Sequence, residues 1–556
     1  MSIGELLLEK GLITASHLAD AVAARKRTGQ RLDKALIEMG CISEEQVLRV
    51  VSEQLGVPMV DLTDVKIDVE TLRALPAKLI YRRHLVPLRK ENGTLRVATS
   101  DPFDLYSFDE VRMLTGLEIQ PVLAPSEEIA KVIKSYYGVG GDTVDEMMDS
   151  ADLEVIGQPD ADSEDLLEMA QEASVIKLVN EVFVEAIKER ATDIHIEPYE
   201  RELKIRYRID GVLHETTMPT QVRRFQAAII SRIKIMARLN IAEKRLPQDG
   251  RIQLQVGGSR FDVRVSVIPM LFGEGVVMRL LDHSTITYTL PELGMAQDTL
   301  EVFHEIIRRP HGIMLVTGPT GSGKTTTLYA ALSEIVSPTI KVLTVEDPVE
   351  YHLDGVNQIQ VSPKVGLTFA RGLRHILRHD PDVVMIGEIR DLETAEAAVQ
   401  SALTGHLVFS TLHTNDASSS ATRLLDMGVE PFLVTSTLEA AMAQRLVRTL
   451  CPECKETYEP DPSTLPADFR YRPGETLWRG RGCRQCRSTG YYGRTGLFEL
   501  MPATDRIREK VMSRAPAGEV LAAARDDGLR LLREDGWAKV RQGLTTVEEV
   551  IRATKA

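Results

Sequence analysis

Cysteine is scarce: five residues in a chain of 556. That is too few for the disulfide framework of a small secreted fold. No apolar run approaches the roughly 18 residues of a membrane-spanning helix, so a span is not expected. The start, Met1-Ser2-Ile3-Gly4-Glu5, has no basic stretch leading into an apolar one. Secretion through a cleaved signal is therefore not expected either. Basic residues are missing from one long segment. Between Lys134 and Lys177 there is no lysine or arginine, and twelve acids stand there. Most of the net charge of −14 belongs to that segment, and the rest of the chain is close to neutral. A broad basic surface for nucleic acid is not implied.

What is present is globular. Hydrophobic residues are 43% and charged residues 27%, and the length suggests about three or four domains. The first 60 residues repeat. Ile3, Gly11, Ile13, Leu18 and Val22 recur 29 residues later as Leu32, Gly40, Ile42, Val47 and Val51. Each copy reads as a short helix, a glycine turn and an amphipathic helix, with Thr14 and Ser43 at N-cap positions. Residues 61–137 read as a small α/β module, with a hairpin of Leu85–Leu88 and Leu95–Ala98 closed at Asn92-Gly93. Residues 138–171, glycine-rich and then acidic, read as a flexible linker. Residues 172–290 read as an α+β domain. Its strands alternate with period two at Asp193–Glu197 and Leu203–Arg208. From about 291 to 556 strands alternate with helices, which predicts a parallel sheet.

That last region carries the chemistry. Gly318-Pro319-Thr320-Gly321-Ser322-Gly323-Lys324-Thr325, followed by Thr326, matches the phosphate-binding loop in full. An apolar strand, Ile313–Val316, precedes it and a helix follows. Glycines let backbone N–H groups turn toward phosphates, and the helix N-terminus adds positive potential. Lys324 is expected to reach the β and γ phosphates, and the Thr325 hydroxyl to bind Mg²⁺. A second strand ends in Glu346-Asp347-Pro348-Val349-Glu350, acids placed where parallel sheets bind ligands. One of them is expected to polarise the attacking water. A third strand, Asp382–Ile386, ends at Gly387-Glu388, the Walker B arrangement, with Glu388 holding Mg²⁺ through water. A fourth is bracketed by His406 and His413, read as γ-phosphate sensors or subunit contacts.

The other four cysteines form Cys451-Pro452-Glu453-Cys454 and Cys483-Arg484-Gln485-Cys486. Two such knuckles make a closed, structural four-thiolate zinc site within residues 447–500. Redox-active dithiols are the alternative. The polar segment between the pairs is expected to depend on metal for its stability. Arg479, Arg481, Arg484, Arg487 and Arg494 cluster there, facing acidic lipid, a partner or solvent. Cys41 stands apart and reads as a small buried residue.

Together these boxes resemble the secretion ATPase superfamily, and more closely the type II secretion and type IV pilus assembly ATPases, the general secretion pathway protein E type. The resemblance runs from about 172 to the C-terminus. It implies a RecA-like P-loop ATPase domain with a zinc-binding insert, in a cytoplasmic hexamer peripheral to the inner membrane. ATP, Mg²⁺ and Zn²⁺ would be its substrate and ions. It implies Glu350 as catalytic carboxylate, Glu388 as the Walker B acid and His413 as the γ-phosphate sensor. Arg264 and Arg279, from the domain before the loop, would reach the phosphates, with Arg374 and Arg378 as further candidates. It further implies an inner-membrane platform protein as partner. Phe369–Arg374 and Thr411–Asp416 favour the secretion branch over pilus extension. A DNA translocase is a third reading, and the near-neutral folded part opposes it.

The duplicated N-terminal module resembles that family's N-terminal domain, which in some members binds cyclic di-GMP through a doubled Arg-Leu-Gly pattern. The second copy keeps Arg31, Leu32, Gly40 and Gln54 but has Asp33 for the glycine. The first has Ser2 for the arginine and Arg25 for the glutamine. An acid where backbone meets phosphate is unfavourable. Docking to the cytoplasmic part of an inner-membrane secretion protein is the better reading.

Overall fold

The computed structural model describes residues 3–28, 30–62, 65, 67–72, 74–91, 93–137, 173–256, 258–282 and 288–555. The expected linker at 138–171 lies outside the described residues. The chain divides into two compact units, Met1–Leu280 and Leu281–Ala556.

The first unit opens with the repeated helices Ile3–Glu9, Ala15–Thr28, Leu32–Glu38 and Glu44–Leu55. Ser43 caps the last of these in a reciprocal box with Gln46, which satisfies two otherwise orphaned amides. Leu7, Ile13, Leu36, Val47 and Val51 are buried together. Cys41 is only half-buried there, not enclosed as its chemistry suggested. Three strands follow: β1 (Val86–Glu91), β2 (Thr94–Thr99) and β3 (Glu118–Leu123). β1 and β2 form the expected antiparallel hairpin, and β3 joins β2 in parallel. Leu123 of β3 enters the core of the repeated helices, so the two segments share a seam.

The same unit contains a six-stranded sheet of β4 (Asp193–Pro198), β5 (Leu203–Ile209), β6 (Val212–Thr216), β7 (Gln248–Val256), β8 (Ser259–Met270) and β9 (Gly273–Asp282). Their order is β6-β5-β4-β9-β8-β7. Alternation sends Ile194, Ile205, Val263, Val265 and Met278 into one core with the helices Ala173–Lys188 and Gln226–Met236. Period two puts Asp193, Arg208, Arg264 and Arg279 on the opposite face.

In the second unit β10 (Gly312–Thr317), β11 (Val342–Glu346), β12 (Val356–Gln360), β13 (Val383–Ile386) and β14 (Leu407–Leu412) are parallel. They are followed by β15 (Leu438–Leu450), the two-stranded pair β16 (Lys455–Tyr458) and β17 (Leu477–Gly480), and β18 (Tyr491–Pro502). The main sheet runs β12-β11-β13-β14-β10-β15-β18, with β18 antiparallel. Every residue of β10, β13 and β14 is buried, as expected of strands covered on both faces. Ile313 and Leu315 enter one apolar layer, and Met314 and Val316 the other. Residues 447–450 and 491–500 lie in this main sheet. The insert is therefore shorter than 447–500 and begins at Cys451. Among the described residues no helix is long and apolar enough to cross a membrane.

Candidate nucleotide site and cysteine cluster

Strand register gathers the boxes at one edge. Thr317 stands opposite Leu412, Ile386 opposite Ser410, and Val345 opposite Ile386. The next residues are therefore the Gly318 loop, His413, Glu388 and the acidic box, all beyond the C-terminal ends of adjacent parallel strands. His406 is at the other end of β14. Its Nδ1 lies 2.8 Å from the Ser401 carbonyl oxygen and 3.1 Å from Thr404 Oγ1. It ties off the preceding helix, away from the loop, and the two histidines do not act as a pair.

The loop needs its glycines. Gly318, Gly321 and Gly323 have φ of +148°, +79° and +89°. A Cβ on Gly318 would meet the Gln444 carbonyl oxygen at 2.6 Å. Pro319, Thr320 and Gly321 are exposed, while Thr325 and Thr326 are half-buried at the start of the helix Lys324–Ile335. Lys324 Nζ donates to the carbonyls of Gly318 and Pro319 at 2.8 and 3.1 Å. Among the described residues no carboxylate is within ion-pair distance of it. Burial lowers its pKa, and Glu388 only partly offsets that. The buried Ser322 Oγ has no hydrogen-bond partner among the described residues. A cation held only by carbonyls beside an orphaned hydroxyl fits a polyphosphate.

Glu388 is buried, and its Oε2 lies 2.9 Å from His413 Nε2. Its other oxygen pairs with Arg390. Burial alone would raise the carboxyl, but Arg390 and His413 outweigh it and hold it below the usual carboxylate range. Of the acids in the second box, Glu346 is not available for chemistry. It is buried and accepts from Tyr329, from Thr344 Oγ1 at 2.6 Å and from Gln358 Nε2 at 3.1 Å. Glu350 is half-buried at the end of that box.

Arg279 pairs across strands with Asp193 at 3.0 Å, and Arg264 lies opposite Arg251. Arg374 and Arg378 are both exposed, and Arg374 pairs with Glu393 at 2.6 Å. Sequence reasoning missed two arginines. Arg390 stands two residues beyond Glu388 in the sequence but carries no motif of its own. Arg445, on β15, bonds Gln444 O and Asn415 O at 3.1 and 3.0 Å, and a Cβ on Gly318 would lie 3.0 Å from its Nη1. No local pattern marks Arg445, because the register of β10 with β15 brings it to the loop.

The four cysteines of the insert converge. Their Sγ atoms lie within 4.8 Å of one another. Cys451–Cys483, Cys454–Cys486 and Cys483–Cys486 are each 3.7 Å apart, and none is disulfide-bonded. Thiolates at the usual zinc distance of about 2.3 Å stand about 3.8 Å apart in a tetrahedron. The donor set and spacing fit zinc. The cross-pair contacts make one cluster, where two dithiols would make two. Cys486 Sγ accepts the amides of Cys483 and Gly490 at 3.1 and 3.2 Å. Burial raises its thiol, but those amides outweigh it and bring it to about 7. The segment between the pairs is better anchored than its polarity suggested. Phe469 and Leu477 are buried with Trp537, Val540, Val547 and Val550 of the C-terminal helices, so metal is not its only support.

Comparison with known proteins agrees with this arrangement. The family model described as type II/IV secretion system protein matches residues 168–552, and that of the MshEN domain matches 55–143. The chain is 46% identical over 561 residues to the type II secretion system protein E of Xanthomonas campestris, covering 100% of this chain and 98% of the relative. It is 43% identical over 559 residues to the type IV pilus assembly ATPase PilB of Myxococcus xanthus, covering 99% and 98%. The solved ATPase DotB of Yersinia pseudotuberculosis superposes with a TM-score of 0.51 at 24% identity, covering 68% of this chain and 93% of that one, which shows the shared fold. With the phosphate loop, the two acidic boxes and the histidine box on one sheet edge, the chain belongs to the type II/IV secretion system family and is an ATP-hydrolysing secretion ATPase.

Proposed function

We propose that the chain is the cytoplasmic assembly ATPase of a type II secretion system, converting ATP hydrolysis into pseudopilus growth and protein export. The observation that carries this reading is the gathering of Lys324, Glu388, His413 and the Glu350 box at one sheet edge, within a chain similar over its whole length to a type II secretion protein E. The loop Gly318–Thr325 and Thr326 cradle the phosphates, and Lys324 exchanges its two carbonyl partners for phosphate oxygens. Thr325 and Glu388 would hold Mg²⁺, which when bound neutralises charge on the β and γ phosphates. Glu350 accepts the proton of the attacking water, and His413, seated on Glu388, senses the γ-phosphate. Cys451, Cys454, Cys483 and Cys486 would hold structural zinc.

Arg264 and Arg279 supply positive charge to the transferred phosphoryl group, in a homo-hexamer on the inner face of the inner membrane. Hydrolysis is then gated by the position of the domain that carries them, and Arg264→Ala with a wild-type rate at saturating ATP would remove that gate. The N-terminal module docks on the cytoplasmic part of an inner-membrane secretion protein. The platform protein, and acidic phospholipid at the arginines of the insert, are further partners. Nucleic acid is not a partner.

The similarity to a pilus assembly ATPase over 99% of the chain favours pilus extension as the second reading. Deleting the gene separates the two. Loss of extracellular enzymes with pili intact supports secretion, and loss of pili with secretion intact assigns the motor to the pilus.

A further inference from the structure

Tyr329 is fully buried on the helix that begins at the phosphate loop, yet its hydroxyl is shared by three partners. It donates to Glu346. It accepts the backbone N–H of Glu350 at 3.3 Å and Gln358 Nε2 at 3.4 Å. The residue after Glu350 is pinned to the same hub. Gln358 Nε2 donates to the Tyr351 carbonyl at 3.1 Å, and the Tyr351 ring meets the Tyr329 ring edge-on, with centroids 4.6 Å apart. Glu350 is thus held on both sides by one network rooted in the helix that carries Lys324.

The chain of bonds has a direction. The buried Glu346 carboxylate pulls on the Tyr329 proton. That makes the phenol oxygen a better acceptor for the Glu350 amide, because bonds in such chains polarise one another. Burial and Glu346 push the tyrosine far above its usual range, so it stays a neutral donor.

We propose that Tyr329 is a positioning residue for ATP hydrolysis, fixing Glu350 against the phosphate loop through its hydroxyl. The proposal rests on Glu350 as the catalytic carboxylate. Its test uses the full-length chain in four forms: wild type, Tyr329→Phe, Glu350→Gln and the double variant. Tyr329→Phe is expected to lower kcat about tenfold, the rate equivalent of one hydrogen bond. The KM for ATP and the affinity for a fluorescent ADP analogue should stay unchanged. In the Glu350→Gln background the same substitution should cost nothing further, because the group it positions is gone. A wild-type kcat for Tyr329→Phe beside an inactive Glu350→Gln overturns the positioning role alone. A fully active Glu350→Gln overturns the reading of Glu350. Were Tyr329→Phe to unfold, Gln358→Met decides instead. It removes the Gln358 bonds to Tyr351, Glu346 and the Tyr329 hydroxyl and leaves the Tyr329 ring in place, and about a threefold loss in kcat at unchanged KM is expected because its hold on Glu350 is indirect, through the next residue. An unchanged kcat there counts against the network.

Discussion

His413 Nε2 and Glu388 Oε2 stand 2.9 Å apart, at the C-terminal ends of two neighbouring parallel strands. The contact joins the Walker B acid to the histidine box. Glu388 therefore already has two cationic or donor partners, His413 and Arg390. Glu388→Gln should lower kcat by about 100-fold or more, the scale for removing a preorganised group from developing charge. Nucleotide affinity measured without Mg²⁺ should be nearly unchanged. Equal losses in affinity with and without Mg²⁺ would contradict its place at the metal.

Arg445 should matter to nucleotide binding more than to turnover. It sits against the loop, half-buried, and donates to the carbonyl oxygens of Gln444 and Asn415 and to the Asn415 side-chain amide oxygen. Burial lowers its pKa, with Glu499 and Asp416 acting against that. Arg445→Ala is expected to raise the KM for ATP about tenfold, the loss of one charge-assisted hydrogen bond. The kcat at saturation should fall by less. Steady-state kinetics over a range of ATP checks it.

Arg445 also shows where sequence reading stops. The phosphate loop was legible because all its chemistry lies within eight successive residues. The cysteine cluster was legible because each knuckle is local, and only its closure needed the fold. Glu346 and Glu350 look alike in sequence. Only β12, which supplies Gln358, and the buried Tyr329 show that Glu346 is already saturated. His406 and His413 bracket one strand in the sequence, and only the parallel register of β14 with β10 and β13 shows that the His413 end is the one beside the phosphate loop. The apolar anchor of the insert was missed because Phe469 and Leu477 are scattered without periodicity in a polar stretch, and their buried partners come from helices more than 50 residues later.

The native chain should carry one zinc per subunit by elemental analysis, because its four thiols are already near tetrahedral spacing. Cys451→Ser should lose the ion and lower the melting temperature. Phe469 and Trp537 should keep the insert partly anchored, so the C-terminal helices should stay folded by circular dichroism. Full zinc content in Cys451→Ser would exclude a four-thiolate site.

The N-terminal module should not bind cyclic di-GMP. Arg31, the one arginine that fits the doubled pattern, already holds two carboxylates. Its Nη2 and Nε lie 2.6 and 3.1 Å from Asp33, and its Nη1 lies 2.6 Å from Asp101. Its guanidinium also stacks over Phe103 at 4.6 Å. A guanine would have to displace both acids. Calorimetric titration of the full-length chain should show no saturable binding at micromolar ligand, and a micromolar Kd would overturn this.

Glu549 should set part of the acid stability. Its side chain is 2% exposed. It accepts Arg448 Nη2 at 2.6 Å and the Arg448 amide at 3.0 Å, and Arg552 at 2.9 and 2.8 Å. It thereby fastens the last helix to β15. Burial would raise the carboxyl, but the arginines outweigh it and push it down to about 2 from an ordinary 4.5. A depressed carboxylate stabilises the fold fully above its unfolded value, and that stability drains away as pH falls toward the folded one. Glu549→Gln should therefore cost about 3 kcal/mol at pH 7, since it strands the largely buried Arg448. The gap in melting temperature between wild type and variant should narrow as pH falls from 4.5 toward 2, because protonation leaves both proteins with a neutral side chain at that position. A gap that stayed constant across this window would mean that shape at residue 549, and not its charge, secures the helix.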